Sequence, residues 1–310
     1  MKCSELVLKG TRILKEKGIE ASRLEAEVLL AFAWRWDRTH LLIFFDEPVP
    51  GDVEKRYDDL ICRRSRGVPV PYLTGEKEFM SLGFTVNPDV LIPRPETEVL
   101  VEAVLDYLKG ISLPGNELLS INNGERGTPP MSGGERMGKD YLIADVGTGS
   151  GAVAVSLAYY NVQAYLMATD ISHAALQVAE RNARSHGVAD RVGLLQGDLL
   201  IPLLEQGFTG RGTAVAANLP YIPTSDLESL PLDVRYEPFS ALDGGKDGLD
   251  HYRRLIPQAA AFLASGGLLA CEVGVGQAEV LREILTNEGW TEVEIVKDYA
   301  GRERIVKAKR

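Results

Sequence analysis

Residues 141–160 read YLIADVGTGSGAVAVSLAYY: a mostly apolar run, a set of alternating glycines, then a second apolar run. The first run suits a strand buried on both faces, and the last suits a helix packed inside the protein. Between them, Gly147-Thr148-Gly149-Ser150-Gly151 has to reverse the chain tightly, where a Cβ would crowd the turn and keep a ligand off the backbone. Strand, glycine turn and helix in that order open a βαβ unit, and the pattern continues outward. Further strands are predicted over 164–169, 192–196, 214–217, 268–273, 292–296 and 304–308, and helices over 151–160, 172–186, 248–264 and 276–287. Seven strands alternating with helices predict an α/β fold with a doubly wound, mostly parallel sheet.

The N-terminal quarter has a different period. Leu6, Val7, Leu8, Ile13 and Leu14 recur within 4–17, and Leu24, Ala26, Val28, Leu29, Leu30 and Phe32 within 22–34. Ser22 and Glu25 have the spacing of an N-cap and its N3 partner, and Asp52 can open a third helix over 52–66. Residues 1–75 are therefore expected to form a small helical bundle. Prolines at 69, 71, 88, 93 and 95 then punctuate short β-like runs at 78–80, 84–86 and 90–92, which makes 76–94 a linker containing a hairpin. Pro95 suits a first helical position, with Glu96 and Glu98 in the first turn. The second domain is expected over 95–310, interrupted by a glycine- and proline-rich stretch at 110–140 that is expected to be a flexible surface insertion.

Composition bounds the chemistry. At 310 residues, 45% hydrophobic and 25% charged, the chain has ordinary globular proportions, which excludes fibrous and disordered classes. Its 34 basic and 44 acidic residues give a net charge of −10, which disfavours a general nucleic-acid binder and argues against a DNA partner. The acidity is uneven: residues 1–75 carry 13 basic and 12 acidic side chains, and residues 76–310 carry 21 and 32. Three cysteines without a CxxC, and four histidines without HxxxH or HExxH spacing, predict no disulfide and no metal. The charged N-terminus has no signal-like apolar core and no run is long enough to span a bilayer, so a cytoplasmic protein without a membrane partner is expected.

Three strand ends can hold a ligand. GTGSGA also satisfies the G-x-G-x-x-A fingerprint, so at this step a nicotinamide or flavin remains open. Asp170 ends the next strand, 19 residues beyond Gly151, where a carboxylate can accept both hydroxyls of a ribose, as found in NAD and in S-adenosylmethionine. Asp198 ends the third and can accept from an adenine amino group, with Leu199 packed beside the ring. The fourth strand ends in Asn218-Leu219-Pro220-Tyr221, which fits the N/D-x-P-Y/F signature of methyltransferases that modify planar nitrogens.

The residue types suit that chemistry. An amide nitrogen shares its lone pair with a π-system and is a poor nucleophile. The Asn218 side-chain oxygen and the Leu219 backbone carbonyl can accept both of its N–H hydrogens, which fixes the nitrogen in line with a methyl sulfonium and favours a localised lone pair in the transition state. Pro220 stiffens the turn, and Tyr221 can lie against the planar group or shield the sulfonium. No strong base is required.

Taken together, the chain resembles the HemK-type family of protein glutamine methyltransferases that modify peptide chain release factors. The resemblance runs through GIEASRLEAEVLL in the helical part, Val90-Leu-Ile-Pro-Arg-Pro-Glu-Thr-Glu98, the tetrad at 218–221, Tyr236-Glu-Pro, Ala241-Leu-Asp-Gly-Gly-Lys-Asp-Gly-Leu249 and Tyr252-Arg253. It implies a class I S-adenosylmethionine-dependent fold, with S-adenosyl-L-homocysteine as product. The implied acceptor is the glutamine of the Gly-Gly-Gln loop of class-1 release factors, methylated at its side-chain nitrogen. By position, Gly147, Thr148, Gly149, Ser150, Gly151, Asp170, Asp198 and Leu199 are implied to bind the donor, and Asn218, Leu219, Pro220 and Tyr221 to hold the amide. Arg94 and Glu96, in the 93–97 segment, are implied to line the acceptor pocket. The helical domain is expected to grip the release factor, and the enzyme to act as a monomer. The family's usual tetrad is NPPY; Leu219 replaces its first proline and still supplies a carbonyl, so activity is expected to survive. An adenine-N6 methyltransferase acting on RNA shares the tetrad, as does a ribosomal-protein glutamine methyltransferase. A catalytically silent fold used as a binding module is the alternative outside enzymes. The acidic second domain argues against RNA, and the intact Asn218 and glycine loop argue against silence.

Overall fold

A computed structural model describes residues 1–111 and 141–310. The chain forms two compact units, one of Met1–Glu76 with Leu230–Tyr236 and one of Lys77–Ser229 with Glu237–Arg310.

The first unit contains α1 (Cys3–Glu16), α2 (Ser22–Trp34), α3 (Arg38–Ile43), α4 (Gly51–Ser65) and α5 (Val70–Thr74). Leu6, Leu14, Leu29, Leu30, Tyr57 and Ile61 fill its core. The expected capping box at α2 is absent. Ala21 is the N-cap, without a side-chain bond, and Ser22 is buried as the first helical residue. Glu25 instead pairs with Arg64, 2.6 Å away. A buried guanidinium has taken the carboxylate, because an unpaired charge there costs more than a cap returns. Arg64 also reaches Asp233 at 3.3 Å, so of the basic cluster Arg63, Arg64 and Arg66 it is the one turned inward. Helix α4 begins one residue before Asp52, with Pro50 as N-cap. Pro69 and Pro71, which read as linker punctuation, start the short α5.

The second unit opens with a hairpin of β1 (Glu76–Phe79) and β2 (Leu82–Thr85), followed by a 3-10 turn at Pro95–Thr97 and α6 (Glu98–Gly110). Residues 90–92 form no strand. Val90 and Ile92 are buried in irregular chain, and the Ile92 N–H donates to Glu237 at 3.0 Å. The insertion predicted at 110–140 lies, from residue 112 on, outside the described residues.

The remainder runs β3 (Tyr141–Val146), α7 (Ala152–Tyr160), β4 (Ala164–Asp170), α8 (His173–Ser185), β5 (Val192–Gln196), α9 (Ile201–Glu205), β6 (Gly212–Ala217), α10 (Asp250–Phe262), β7 (Leu263–Glu272), α11 (Ala278–Asn287), β8 (Thr291–Lys297) and β9 (Glu303–Lys309). The seven-stranded sheet has the order β5-β4-β3-β6-β7-β9-β8. All pairs are parallel except those of β9, which is antiparallel to β7 and β8. This is the class I methyltransferase architecture, and β3, buried along its whole length, is the two-face-buried strand the opening residues predicted. Apolar layers cover both faces of the sheet, one including α6 and α7, the other α10 and α11. The chain runs outward from β3 through β4 to β5, then returns to place β6 on the other side of β3. Such a reversal leaves a crevice at the carboxyl ends of the central strands, where loops diverge and a ligand can enter.

Candidate active site

The crevice holds a cavity of about 350 Å³. Of the residues expected from sequence, Gly147, Gly149, Asp170, Asp198, Leu199, Asn218, Leu219 and Pro220 line it. Thr148, Ser150, Gly151, Tyr221, Arg94 and Glu96 are not in its wall. Thr148 and Ser150 are buried beneath the glycine turn.

The turn is held by a residue that sequence reading passed over. Asp145, the one charged residue in β3, accepts from Thr148 Oγ1 at 2.6 Å and from the Ala154 N–H at 3.0 Å. Burial pushes its carboxyl up to about 6, against those two hydrogen bonds. A charged side chain inside an otherwise apolar strand was the available signal. At Gly149, φ is 54° and a Cβ would meet nothing within 4 Å, so backbone conformation demands glycine while the space beside it stays open to a ligand.

Asp170 receives the Gly149 N–H at 2.9 Å on one oxygen and the Ser172 N–H at 2.8 Å on the other. Burial raises its pKa, and the backbone donors oppose that. Each carboxylate oxygen accepts more than one hydrogen bond, so both retain a site facing the cavity. Asp198 is paired with Arg254 of α10, a cavity residue absent from the sequence expectations. The pair uses one Asp198 oxygen and leaves the other for a ligand donor. Leu199 is buried with φ at 52°, a left-handed backbone that a branched side chain adopts only under constraint from its surroundings.

The tetrad is held from several directions. Asn218 Nδ2 donates to Thr97 Oγ1 at 3.0 Å, which turns Oδ1 the other way. The Leu219 N–H donates to the Tyr252 hydroxyl at 3.3 Å, and that hydroxyl lies within bonding distance of two carbonyls, Leu219 and Glu272. It has a single proton and its shorter contact is to Glu272, so the Leu219 carbonyl keeps its capacity for another donor. Gln277 Nε2 donates to the Tyr221 carbonyl at 2.8 Å and to the Asp247 carbonyl at 3.0 Å. The Gly244–Leu249 stretch packs directly on the tetrad: a Cβ at Gly248 would overlap the Tyr221 carbonyl oxygen. Asp247 in the same stretch is held down to about 2 by the Arg253 guanidinium.

Behind the tetrad lies Glu272, at the end of β7 and almost fully buried. Burial pushes its carboxyl up to about 7, while a hydrogen bond from the Thr97 hydroxyl and the charge of Arg304 act in the opposite direction. Burial, together with the charge of Glu272, raises the Tyr221 phenol to about 12, so it stays protonated at neutral pH. Arg94 does not point into the cavity; it is paired with Glu237, the buried acid that also receives the Ile92 N–H. Glu96 is half-buried, close enough to Glu272 and Tyr221 to influence both. Among the described residues no cluster of three or more His, Cys, Asp or Glu is placed to hold a metal, and no helix is long and apolar enough to cross a membrane.

Comparison with known proteins agrees with this geometry. Residues 5–75 match the PrmC N-terminal domain and residues 143–230 a methyltransferase domain. The release factor glutamine methyltransferase of Moorella thermoacetica is 46% identical over 299 residues, covering 95% of this chain and 94% of its own. That of Geobacter sulfurreducens is 39% identical over 302 residues, covering 97% and 94%. Among solved structures, the human METTL16 catalytic domain in complex with the MAT2A 3′UTR hairpin 6 superposes with a TM-score of 0.54 at 14% identity, covering 81% of this chain and 82% of that one. The METTL16 N-terminal domain in complex with SAH has a TM-score of 0.50 at 14% identity, covering 81% and 83%. At that identity the likeness is one of fold.

Proposed function

The chain belongs to the family of release factor glutamine methyltransferases, and on that premise we propose that it methylates the side-chain nitrogen of the glutamine in the Gly-Gly-Gln loop of class-1 release factors, with S-adenosylmethionine as donor. The observation that carries the reading is the Asn218 carboxamide, fixed through Thr97 at the mouth of the donor cavity with its oxygen unspent.

The residues present fit the donor. The open backbone at Gly149, the remaining acceptor sites of Asp170 and Asp198, and the apolar wall at Leu199 suit a polar tail, a ribose and a purine in turn. Two carboxylates near the cavity also suit a cationic molecule. Bound there, S-adenosylmethionine supplies an electrophilic methyl group on a positively charged sulfur.

The chain's own residues do the rest. Asn218 Oδ1 and the Leu219 carbonyl accept the two N–H hydrogens of the glutamine amide, so that its nitrogen is aimed and its lone pair is drawn out of conjugation as the bond to carbon forms. Pro220 holds the carbonyl direction, and Tyr221, neutral at physiological pH, offers a ring face and not a charge. The nitrogen becomes acidic only as it gains the methyl group, so proton loss can follow to water without a strong base. The unit of Met1–Glu76 with Leu230–Tyr236 is assigned to recognition of the release factor body, Arg94 and Glu96 to the acceptor side, and the working form to a monomer in the cytoplasm.

Incubation of purified release factor with the enzyme and donor, followed by mass spectrometry of the loop peptide, tests this. The expected result is one added methyl on the loop glutamine, lost in Asn218→Ala. Methyl incorporation into ribosomal RNA or a ribosomal protein, with none on release factor, would overturn it.

A further inference from the structure

Gln277 stands at the start of α11 and spends none of its side chain there. It occupies the N-cap position, yet it makes no capping bond to the helix. Its carboxamide reaches instead to three stretches of chain near the carboxyl edge of the sheet. Nε2 donates to the Tyr221 carbonyl at 2.8 Å and to the Asp247 carbonyl at 3.0 Å, and Oε1 accepts the Gly274 N–H at 2.8 Å. Only this orientation works, because a carbonyl cannot donate and an N–H cannot accept. Both hydrogens and the oxygen of the carboxamide are committed, and an apolar side chain answers none of the three backbone groups.

We propose that Gln277 is a positioning residue for methyl transfer, which sets the Tyr221 ring on the acceptor side by fixing the backbone that carries it. The proposal rests on the reading of Tyr221 as a residue that holds the acceptor amide.

The need for such a tie follows from how the tetrad leaves the sheet. Ile222 forms a parallel bridge with Asp243: its N–H donates to the Leu242 carbonyl at 3.1 Å, and its carbonyl accepts the Gly244 N–H at 2.8 Å. A parallel bridge of this kind uses both polar groups of one residue and serves neither of its neighbours. The Tyr221 carbonyl, one residue earlier, therefore needs a donor from elsewhere, and Gln277 supplies it across 56 residues.

The ring is seated by the same turn. A Cβ at Gly274 would lie 3.2 Å from Tyr221 Cδ2 and 2.8 Å from Gln277 Oε1, so the ring and the carboxamide both pack against bare backbone there. A Cβ at Gly248 would lie 2.2 Å from Gln277 Nε2. Glycines in two separate loops thus clear the space that the carboxamide fills. The turn is closed a second time by its backbone, with the Gln277 N–H donating to the Gly274 carbonyl at 3.1 Å. Tyr221 is held at its carbonyl by Gln277 and at its ring edge by Gly274, two residues of one short turn.

The test is steady-state kinetics of release factor methylation at saturating donor. Gln277→Met keeps the length of the side chain and removes its hydrogen bonds. Its kcat should fall about tenfold while KM for release factor stays within about twofold, since aim is lost and not binding. Gln277→Glu keeps an acceptor for the Gly274 N–H but turns an oxygen toward two carbonyls, and should be slower still. Binding of S-adenosylhomocysteine by calorimetry, unchanged in both, shows that the fold and the donor side are intact. A double variant with Tyr221→Ala asks whether the effect runs through the ring: once the ring is gone, Gln277→Met should cost less than about twofold. Wild-type kcat in Gln277→Met or Gln277→Glu, or the full loss repeated in the Tyr221→Ala background, overturns the proposal. Should Gln277→Met fail to fold, Gly274→Ala decides in its place, because its methyl presses on the same two contacts; wild-type kcat there overturns the proposal equally. Tyr221→Ala separates the two levels. Wild-type kcat in that variant removes the reading of Tyr221 itself, whereas a slow Tyr221→Ala beside a Gln277→Met of wild-type kcat removes only the role of Gln277.

Discussion

The two sides of the cavity are built by different means. On the donor side, at the ends of β3 and β4, the shortest supports are local: Asp145 holds the turn three residues on and Asp170 holds Ser172. The Asp170 bond to Gly149 spans 21 residues, and the Arg254 pairing of Asp198 at the end of β5 spans 56. On the acceptor side, almost every support comes from far along the chain. Thr97 reaches Asn218 across 121 residues, Tyr252 reaches Leu219 across 33, and Gln277 reaches Tyr221 across 56. A donor shared by many enzymes can be held by a local loop. An acceptor nitrogen that must be aimed requires a frame assembled from the whole sheet edge, because a small displacement in line of attack costs rate steeply.

If the two sides are energetically separate, single substitutions should strike one and spare the other. The largest effect is expected at Asn218→Ala, where kcat should fall by about 10²–10³-fold, comparable to removal of one transition-state hydrogen-bonding group elsewhere. Donor affinity, read by calorimetry, should stay within about twofold. A parallel loss of donor binding would break the comparison.

Next comes the pH dependence of folding through Asp145. Its folded pKa is raised to about 6 from the usual 3.8, so between those values the folded chain holds a proton that the unfolded chain has released. Stability is therefore highest below about pH 4 as far as this group is concerned, and declines as pH rises to about 6, by roughly 3 kcal/mol. Asp145→Asn removes that decline while keeping an acceptor for Thr148. In urea unfolding, the variant should gain on wild type by about that amount between pH 4 and 7; a constant difference would show that Asp145 titrates in the fold as it does in the unfolded chain.

Asp170→Ala should weaken donor binding by about 10–100-fold, the loss expected for charge-assisted hydrogen bonds, and leave kcat at saturating donor within a few fold. A collapse of kcat would mean that the donor loop also aims the acceptor. The smallest effect belongs to Leu219→Pro, which restores the usual residue at that position. It removes the 3.3 Å bond from the Leu219 N–H to Tyr252 and stiffens Asn218, two opposed changes that should leave kcat within about threefold.

The same contrast explains what could be read from residues alone. The βαβ series, the glycine turn, Asp170 and the tetrad were legible because period and spacing carry them over short stretches. The Thr97–Asn218 bond was not, since nothing local to either residue points to the other. Asp198 was legible as a cavity residue, but its partner Arg254 was not. The capping box at Ser22 and Glu25 was a correct local preference overridden by the tertiary demand of Arg64. The strand expected at 90–92 likewise yielded to Glu237, an acid 145 residues beyond Ile92 that captures its backbone.

The short segment Leu230–Tyr236 gives the chain an unusual heredity. It supplies Asp233 to Arg64 and Leu232 to the space beside Gly67, so the helical unit is completed by residues that arrive some 150 positions later. A recombination that exchanged only the first 76 residues between two such enzymes would graft an unfinished part. The unit can be inherited or transplanted whole only when its distant seven residues travel with it.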